Sequence, residues 1–248
     1  MLILLPPSET KAEGGDGPPL ELDRLSFPDL NPTRKELTGE LVALAADLPA
    51  SRAALGLSER QDAEIARNAA LWTSPTAPAL SRYTGVLYDA LDFASLRGTA
   101  LDRARSRLVV GSALFGLVRA DDPVPAYRLS AGSMLPGRGT LAAHWRPALE
   151  PVLAEQEGLI VDLRSGSYAG LGRIPGAITV QVLTERPDGT RKVVSHHNKS
   201  SKGRLARLLA GARAEPGDLS GLLKVARRGG FELERGSTAT QLDLILRD

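Results

Sequence analysis

The chain opens on the apolar run Leu2-Ile3-Leu4-Leu5 and is stopped at once by Pro6-Pro7. A short apolar run without alternation, ended by residues that cannot donate to a ladder, reads as a buried strand. The fold must therefore contain a covered sheet. Arg107-Leu108-Val109-Val110-Gly111-Ser112-Ala113 and Leu159-Ile160-Val161-Asp162-Leu163 have the same character. Late in the chain, Ala177 to Leu183 and Arg191 to His196 flank Pro187-Asp188-Gly189, a hairpin signature. Phe231–Glu234 and Gln241–Leu246 read as closing strands.

Helical patterns lie between these runs. Leu37, Leu41, Leu44 and Leu48 mark one face of a helix from Thr33 to Leu48. Ser58, with Gln61 three residues on, forms a capping box for a second helix running towards Trp72. Further helices are expected over Val86–Phe93, over Leu141–Gln156 (irregular at Pro147 and Pro151), over Ser200–Ala212, and after an Asp218 cap. The glycine- and proline-rich stretch from Glu13 to Pro19 reads as a mobile surface loop. Strands and helices do not alternate as βαβ units and no repeat is visible. The expected fold class is α+β, one domain over residues 1–248, with a mixed sheet, surrounding helices and the strand order left open.

Hydrophobic residues make up 42% of the 248, enough for one core, and aromatics only 4%, so Leu, Val, Ile and Ala must fill it. There is no cysteine, which removes disulfides, thiolate nucleophiles and Cys-ligated zinc or iron–sulfur centres. The start lacks the basic and long apolar regions of a signal peptide, and no apolar stretch reaches membrane length. A cytoplasmic monomer without membrane contact is expected. The net charge of +2 hides a segregation. Eleven basic and three acidic residues lie between Arg186 and Arg228, a local +8, against twenty basic and twenty-six acidic elsewhere. Such a field attracts phosphates, although a solvated helix face produces the same count.

Four stretches share a pattern. They are Leu2-Ile3-Leu4-Leu5-Pro6-Pro7-Ser8-Glu9-Thr10-Lys11; Gly111-Ser112-Ala113-Leu114-Phe115-Gly116-Leu117-Val118-Arg119 with Pro125-Ala126-Tyr127-Arg128-Leu129; Val161-Asp162-Leu163-Arg164-Ser165-Gly166-Ser167-Tyr168; and Asn198-Lys199-Ser200-Ser201-Lys202-Gly203-Arg204. In this order, and over nearly the whole chain, they resemble the YaaA-like peroxide-stress family. The sequence departs from that pattern at Phe115, at Ala120-Asp121-Asp122 and at Gly166-Ser167. The resemblance implies an α+β fold of unusual topology with a positively charged cleft, binding to double-stranded DNA, and protection from peroxide damage linked to intracellular iron. It also implies a helix–hairpin–helix in the N-terminal third, for which Leu55-Gly56-Leu57-Ser58 is the candidate. There Gly56, Ser58 and Arg60 would meet a phosphate. An ordinary turn with Ser58 as N-cap fits the same residues.

The remaining phosphate-binding candidates are cations. Lys199, Lys202, Arg204 and Arg207 open the Ser200–Ala212 helix, with Arg204 and Arg207 on one face expected towards solvent. Arg128, after Pro125-Ala126-Tyr127, is placed to clamp a phosphate or carboxylate, and Lys11 follows a strand-ending turn. Ser8, Ser165, Ser167 and Tyr168 would add hydroxyls if the strand ends converge on one cleft. His196 and His197 point to opposite faces of a strand and cannot easily share an ion. A pairing of histidines, His144 included, with Asp162 is the one conceivable metal site, and neither metal nor cofactor is expected. Two functions fit: backbone-directed binding of double-stranded DNA, or an enzyme acting on a nucleotide or another phosphorylated small molecule. Low aromatic content argues against a base-stacking platform.

Overall fold

The structure, a computed structural model, describes residues 1–193 and 198–247. The strands are β1 (Leu2–Leu5), β2 (Ala77–Pro78), β3 (Leu108–Ser112), β4 (Gly116–Arg119), β5 (Pro123–Val124), β6 (Ile160–Asp162), β7 (Ile178–Glu185), β8 (Arg191–Val193), β9 (Leu233–Arg235) and β10 (Gln241–Arg247). The helices are α1 (Asn31–Leu44), α2 (Leu48–Leu55), α3 (Asp62–Ala69), α4 (Ala79–Arg82), α5 (Val86–Leu91), α6 (Gly98–Arg107), α7 (Leu141–Ala154), α8 (Gly166–Ala169), α9 (Asn198–Gly211) and α10 (Leu219–Arg228).

Among the described residues, eight strands form one mixed sheet in the order β4-β3-β1-β6-β7-β10-β9, with β8 paired to β7, and β2 and β5 form a separate ribbon. The fold is α+β. The first strand sits near the centre of the sheet, parallel to β3 on one side and to β6 on the other, with Leu4 beside Val109 and Asp162. Its four residues and all five of β3 are buried, which is why both read as unbroken apolar runs. The β7–β8 hairpin forms over the Pro-Asp-Gly turn. The last strand, expected to close the sheet, instead lies between β7 and β9 and runs parallel to β7.

Several boundaries differ from the sequence reading. The expected helix from Thr33 to Leu48 ends at Leu44, and a new helix begins at Leu48. The break is chemical, because the Asp47 side chain caps α2 by accepting from the Ala50 N–H. The Val86 helix stops at Leu91, and the polar helix α6 had no visible periodicity to announce it. The Glu13–Pro19 stretch is pinned, not free. Buried Arg82 donates to the carbonyls of Ala12, Gly14 (2.7 Å), Pro75 (3.3 Å) and Val124 (3.1 Å), so one guanidinium holds three chain segments together.

The start of α9 packs against α5 through Gly203, where a Cβ would stand 2.2 Å from the Leu87 carbonyl oxygen. Only glycine permits that approach. Trp145, fully buried, donates from its ring nitrogen to the Ala113 carbonyl and ties α7 to the loop after β3.

Candidate functional site

The chain passes from β1 to β3 on one side and later returns to β6 on the other. The carboxyl ends of β1 and β6 therefore lie at a switch point, where connecting loops leave in opposite directions, the place at which open sheets commonly carry a ligand crevice. Two of the four recognised stretches of the sequence emerge there: residues 6–11 after β1 and 163–168 after β6. The loop after β3 supplies residues 113–115.

Lys11 is 8% exposed. Its ammonium nitrogen donates to the carbonyls of Ser8 (2.9 Å) and Glu9 (3.3 Å) and lies 4.1 Å from the centroid of the Tyr127 ring. No carboxylate forms an ion pair with it among the described residues. Burial, reinforced by the nearby Arg128 charge and opposed by Glu64 and Glu9, brings its pKa down to about 7. Beneath it runs a chain of hydroxyls, Tyr83–Tyr127 at 3.0 Å and Tyr127–Ser112 at 2.7 Å. Ser112 in turn accepts from the N–H groups of Leu114 and Phe115. Burial pushes the Tyr83 phenol up to about 12, so this network stays protonated. Phe115 packs edge-on against Tyr127 at 5.3 Å between centroids.

Arg128 stands beside this lysine. Its backbone is held at both ends by Asn68 of α3, whose amide accepts from the Arg128 N–H and donates to its carbonyl, each at 2.8 Å. The guanidinium, 15% exposed, donates to Glu9 at 3.0 Å, while the Glu9 side chain is 69% exposed. The Tyr168 hydroxyl lies within electrostatic reach of the same Glu9 and Arg128, and burial raises its pKa. Ser165 and Ser167 are exposed at the rim with their hydroxyl oxygens 3.2 Å apart. Buried Arg164 orders this loop: it grips Asp162 through two bonds of 2.9 and 2.8 Å and donates to the carbonyls of Tyr168 and Gly172. Ser8 is engaged in the turn itself, donating to the Thr10 carbonyl and accepting from the Thr84 N–H.

The start of α9 reaches the same end of the sheet, since Lys202 donates to the Leu163 carbonyl at 3.3 Å. Burial lowers its pKa, with Asp162 opposing. Two of the four cations that open this helix are therefore engaged by the fold. Lys202 points inward, and Arg207 donates to the carbonyls of Leu91 and Asp92 and to Ser95, capping the end of α5. Lys199 and Arg204 are exposed and form no ion pair with a described residue. Elsewhere in the basic segment Arg191 pairs with Glu185 and Glu234.

The hairpin candidate is a turn between α2 and α3. Gly56 adopts φ 65°. The N–H groups of Gly56 and Leu57 both go to the Arg52 carbonyl, and that of Ser58 goes to Gln61. Leu57 is buried in the core and Arg60 is exposed. His144 sits against Arg138, which also binds Glu36 and Glu40, and Asp162 is held by Arg164. His196 and His197 lie outside the described residues. Among the described residues no group of three or more metal-ligating side chains gathers, and no helix is long and apolar enough to cross a membrane.

The site thus joins Lys11, Arg128, Ser165, Ser167 and Tyr168 with residues the sequence reading did not single out: Glu9, Asn68, Tyr83, Ser112, Tyr127 and Arg164. Glu9, Ser112, Tyr127 and Arg164 stood inside the recognised stretches. Asn68 and Tyr83 carried no signal, because their partners are 60 and 44 residues away.

Relatives cover nearly all of the chain. A UPF0246 protein of Corynebacterium glutamicum is 47% identical over 94% of this chain and 95% of its own. Another, from Streptomyces coelicolor, is 44% identical over 100% and 99%. An uncharacterized protein of Campylobacter jejuni is 31% identical over 68% and 69%. The profile of a family described as peroxide stress protein YaaA matches residues 1–236, and this chain belongs to that family.

Proposed function

We propose that the protein acts in peroxide stress by binding the phosphate backbone of nucleic acid, double-stranded DNA in particular, along the strand-end cleft and the adjoining first turns of α9. The observation that carries this reading is the exposure of Lys199 and Arg204, without ion pairs to described residues, at a helix start held beside the cleft that contains Arg128. A helix N-terminus adds a positive dipole end to those charges. Contacts of this kind read charge and not base identity, so affinity should be sequence-tolerant and fall with salt.

Replacing Lys199 and Arg204 together by Ala removes both charges without touching packed atoms. Duplex affinity is expected to fall for all sequences alike, and the salt slope to shrink by about two units, one per lost phosphate contact. A folded double variant with unchanged affinity and slope removes this surface from the binding site.

A second reading, an enzyme acting on a nucleotide or other phosphorylated small molecule, is favoured by one observation. Lys11 is a buried amine with a depressed pKa, set beside Arg128 in a strand-end crevice. Strongly perturbed groups in clefts mark chemistry more often than backbone contact.

A further inference from the structure

Lys11 is an unusual group to bury. Among the described residues its hydrogen-bond partners are two carbonyls of its own turn, and the rings of Tyr127 and Tyr83 lie against it. The two acids nearest it along the chain pair elsewhere, Glu13 with Arg67 and Glu9 with Arg128. The two members of that pair differ in kind. The Arg128 backbone is held by Asn68 and its side chain is mostly buried, whereas the Glu9 side chain is mostly exposed. A buried guanidinium on a pinned backbone, with a displaceable carboxylate, is an anion site carrying an internal occupant.

We propose that Lys11 is a reactive amine that condenses with the carbonyl carbon of a phosphate-bearing aldehyde or ketone, whose phosphate displaces Glu9 from Arg128. The inference rests on the cleft being a phosphate site. The lone pair of the neutral Lys11 nitrogen adds to the carbonyl carbon, and the carbonyl oxygen takes up the two protons that the nitrogen gives up. The C–O bond then breaks, water leaves, and a C=N bond remains. No electron is gained or lost, and no co-reactant is required. A desolvated lysine beside a second cation is the setting that makes an amine nucleophilic near neutral pH. Two sources share this chemistry: a small phosphorylated aldehyde, and an abasic deoxyribose in DNA, whose aldehyde is flanked by phosphates.

Borohydride reduction turns the C=N bond into a stable amine and allows the labelled residue to be mapped. The full chain has six lysines, Lys11, Lys35, Lys192, Lys199, Lys202 and Lys224. With pyridoxal 5′-phosphate as probe in one arm and a duplex containing an abasic site in the other, Lys11 should be labelled about a hundredfold faster than any other lysine in at least one arm. Labelling by the small probe alone identifies a small-molecule source, and labelling by the duplex alone identifies nucleic acid. Either result supports the proposal. Excess inorganic phosphate and Arg128→Ala should each slow the reaction about tenfold, and Glu9→Gln should accelerate it. Label spread evenly over the lysines, or placed on Lys202 with Lys11 spared, overturns the proposal. Binding of an undamaged duplex, measured alongside, reports separately on the phosphate-backbone reading. Because the decisive label is read on the wild-type protein, the test does not depend on any variant folding.

Discussion

The crevice and the start of α9 present cations in opposite ways. In the crevice the charges are buried and held by specific groups: Lys11 by two carbonyls and a ring face, Arg82 by four carbonyls, Arg164 by Asp162. At the start of α9, Lys199 and Arg204 are exposed and form no ion pair with a described residue. Buried cations lose hydration and therefore acquire shifted pKa values and structural duties. Exposed ones keep their charge at little cost to the fold and act mainly through the field they create. Sequence counts treat both alike. The +8 segment consequently overstates the charge available to a ligand, since Lys202 and Arg207 within it serve the interior and the end of α5.

Three substitutions sharpen this contrast, beginning with the strongest. Arg82→Ala should destabilise the protein by about 3–5 kcal/mol, because it leaves the buried Val124 carbonyl and three part-buried ones without their donor and opens a hole where a fully buried side chain stood. Urea denaturation measures it, and a loss within the range of an ordinary surface change would mean that the loop from Glu13 to Pro19 is held by something else. Lys11→Met probes the second buried cation through pH. The folded pKa of about 7 lies below the value of 10.5 for a free lysine, so between these limits the unfolded chain binds more protons at this side chain. The lysine's contribution is greatest above pH 10.5 and is lost as pH falls towards 7. Wild-type stability should therefore rise with pH relative to Lys11→Met across that window, by at most about 1.4 kcal/mol per unit. Parallel stability–pH curves for the two proteins would mean that this amine keeps its ordinary pKa.

The smallest effect is expected at the early hairpin. Gly56 holds φ 65°, so Gly56→Ala should cost about 1 kcal/mol of stability. Duplex affinity should change by less than about twofold, because the hairpin's own N–H groups already have partners in the chain. A large affinity loss at unchanged salt slope would instead place a phosphate at the hairpin and move the contact surface away from α9.

Local chemistry was readable where a residue's partner lies close in sequence. The capping box at Ser58–Gln61, the Asp218 cap and the hairpin over Pro187-Asp188-Gly189 all formed as read. Asp47 shows the limit. It caps α2 by the same local chemistry, but the leucine period running through it suggested one continuous helix. In the site, Lys11, Arg128 and Tyr168 were legible as chemistry-bearing types inside recognisable stretches. Their environments were not, because Glu9 reaches Arg128 across 119 residues and Asn68 reaches it across 60.

By itself the sequence determined that β1 is buried, that the fold mixes helices with a covered sheet, that thiol chemistry is absent and which stretches carry the family pattern. These follow from composition and from periodicities of a few residues. Only the tertiary structure decided that β1 lies between β3 and β6, that the last strand runs parallel to β7, and that Lys202 turns inward and Arg207 caps α5 while Lys199 and Arg204 stay exposed. Strand order and the burial of a charge depend on contacts between segments far apart along the chain. A lysine's desolvation, and with it its chemistry, has no local signature, because it is set by whatever the rest of the fold places around it.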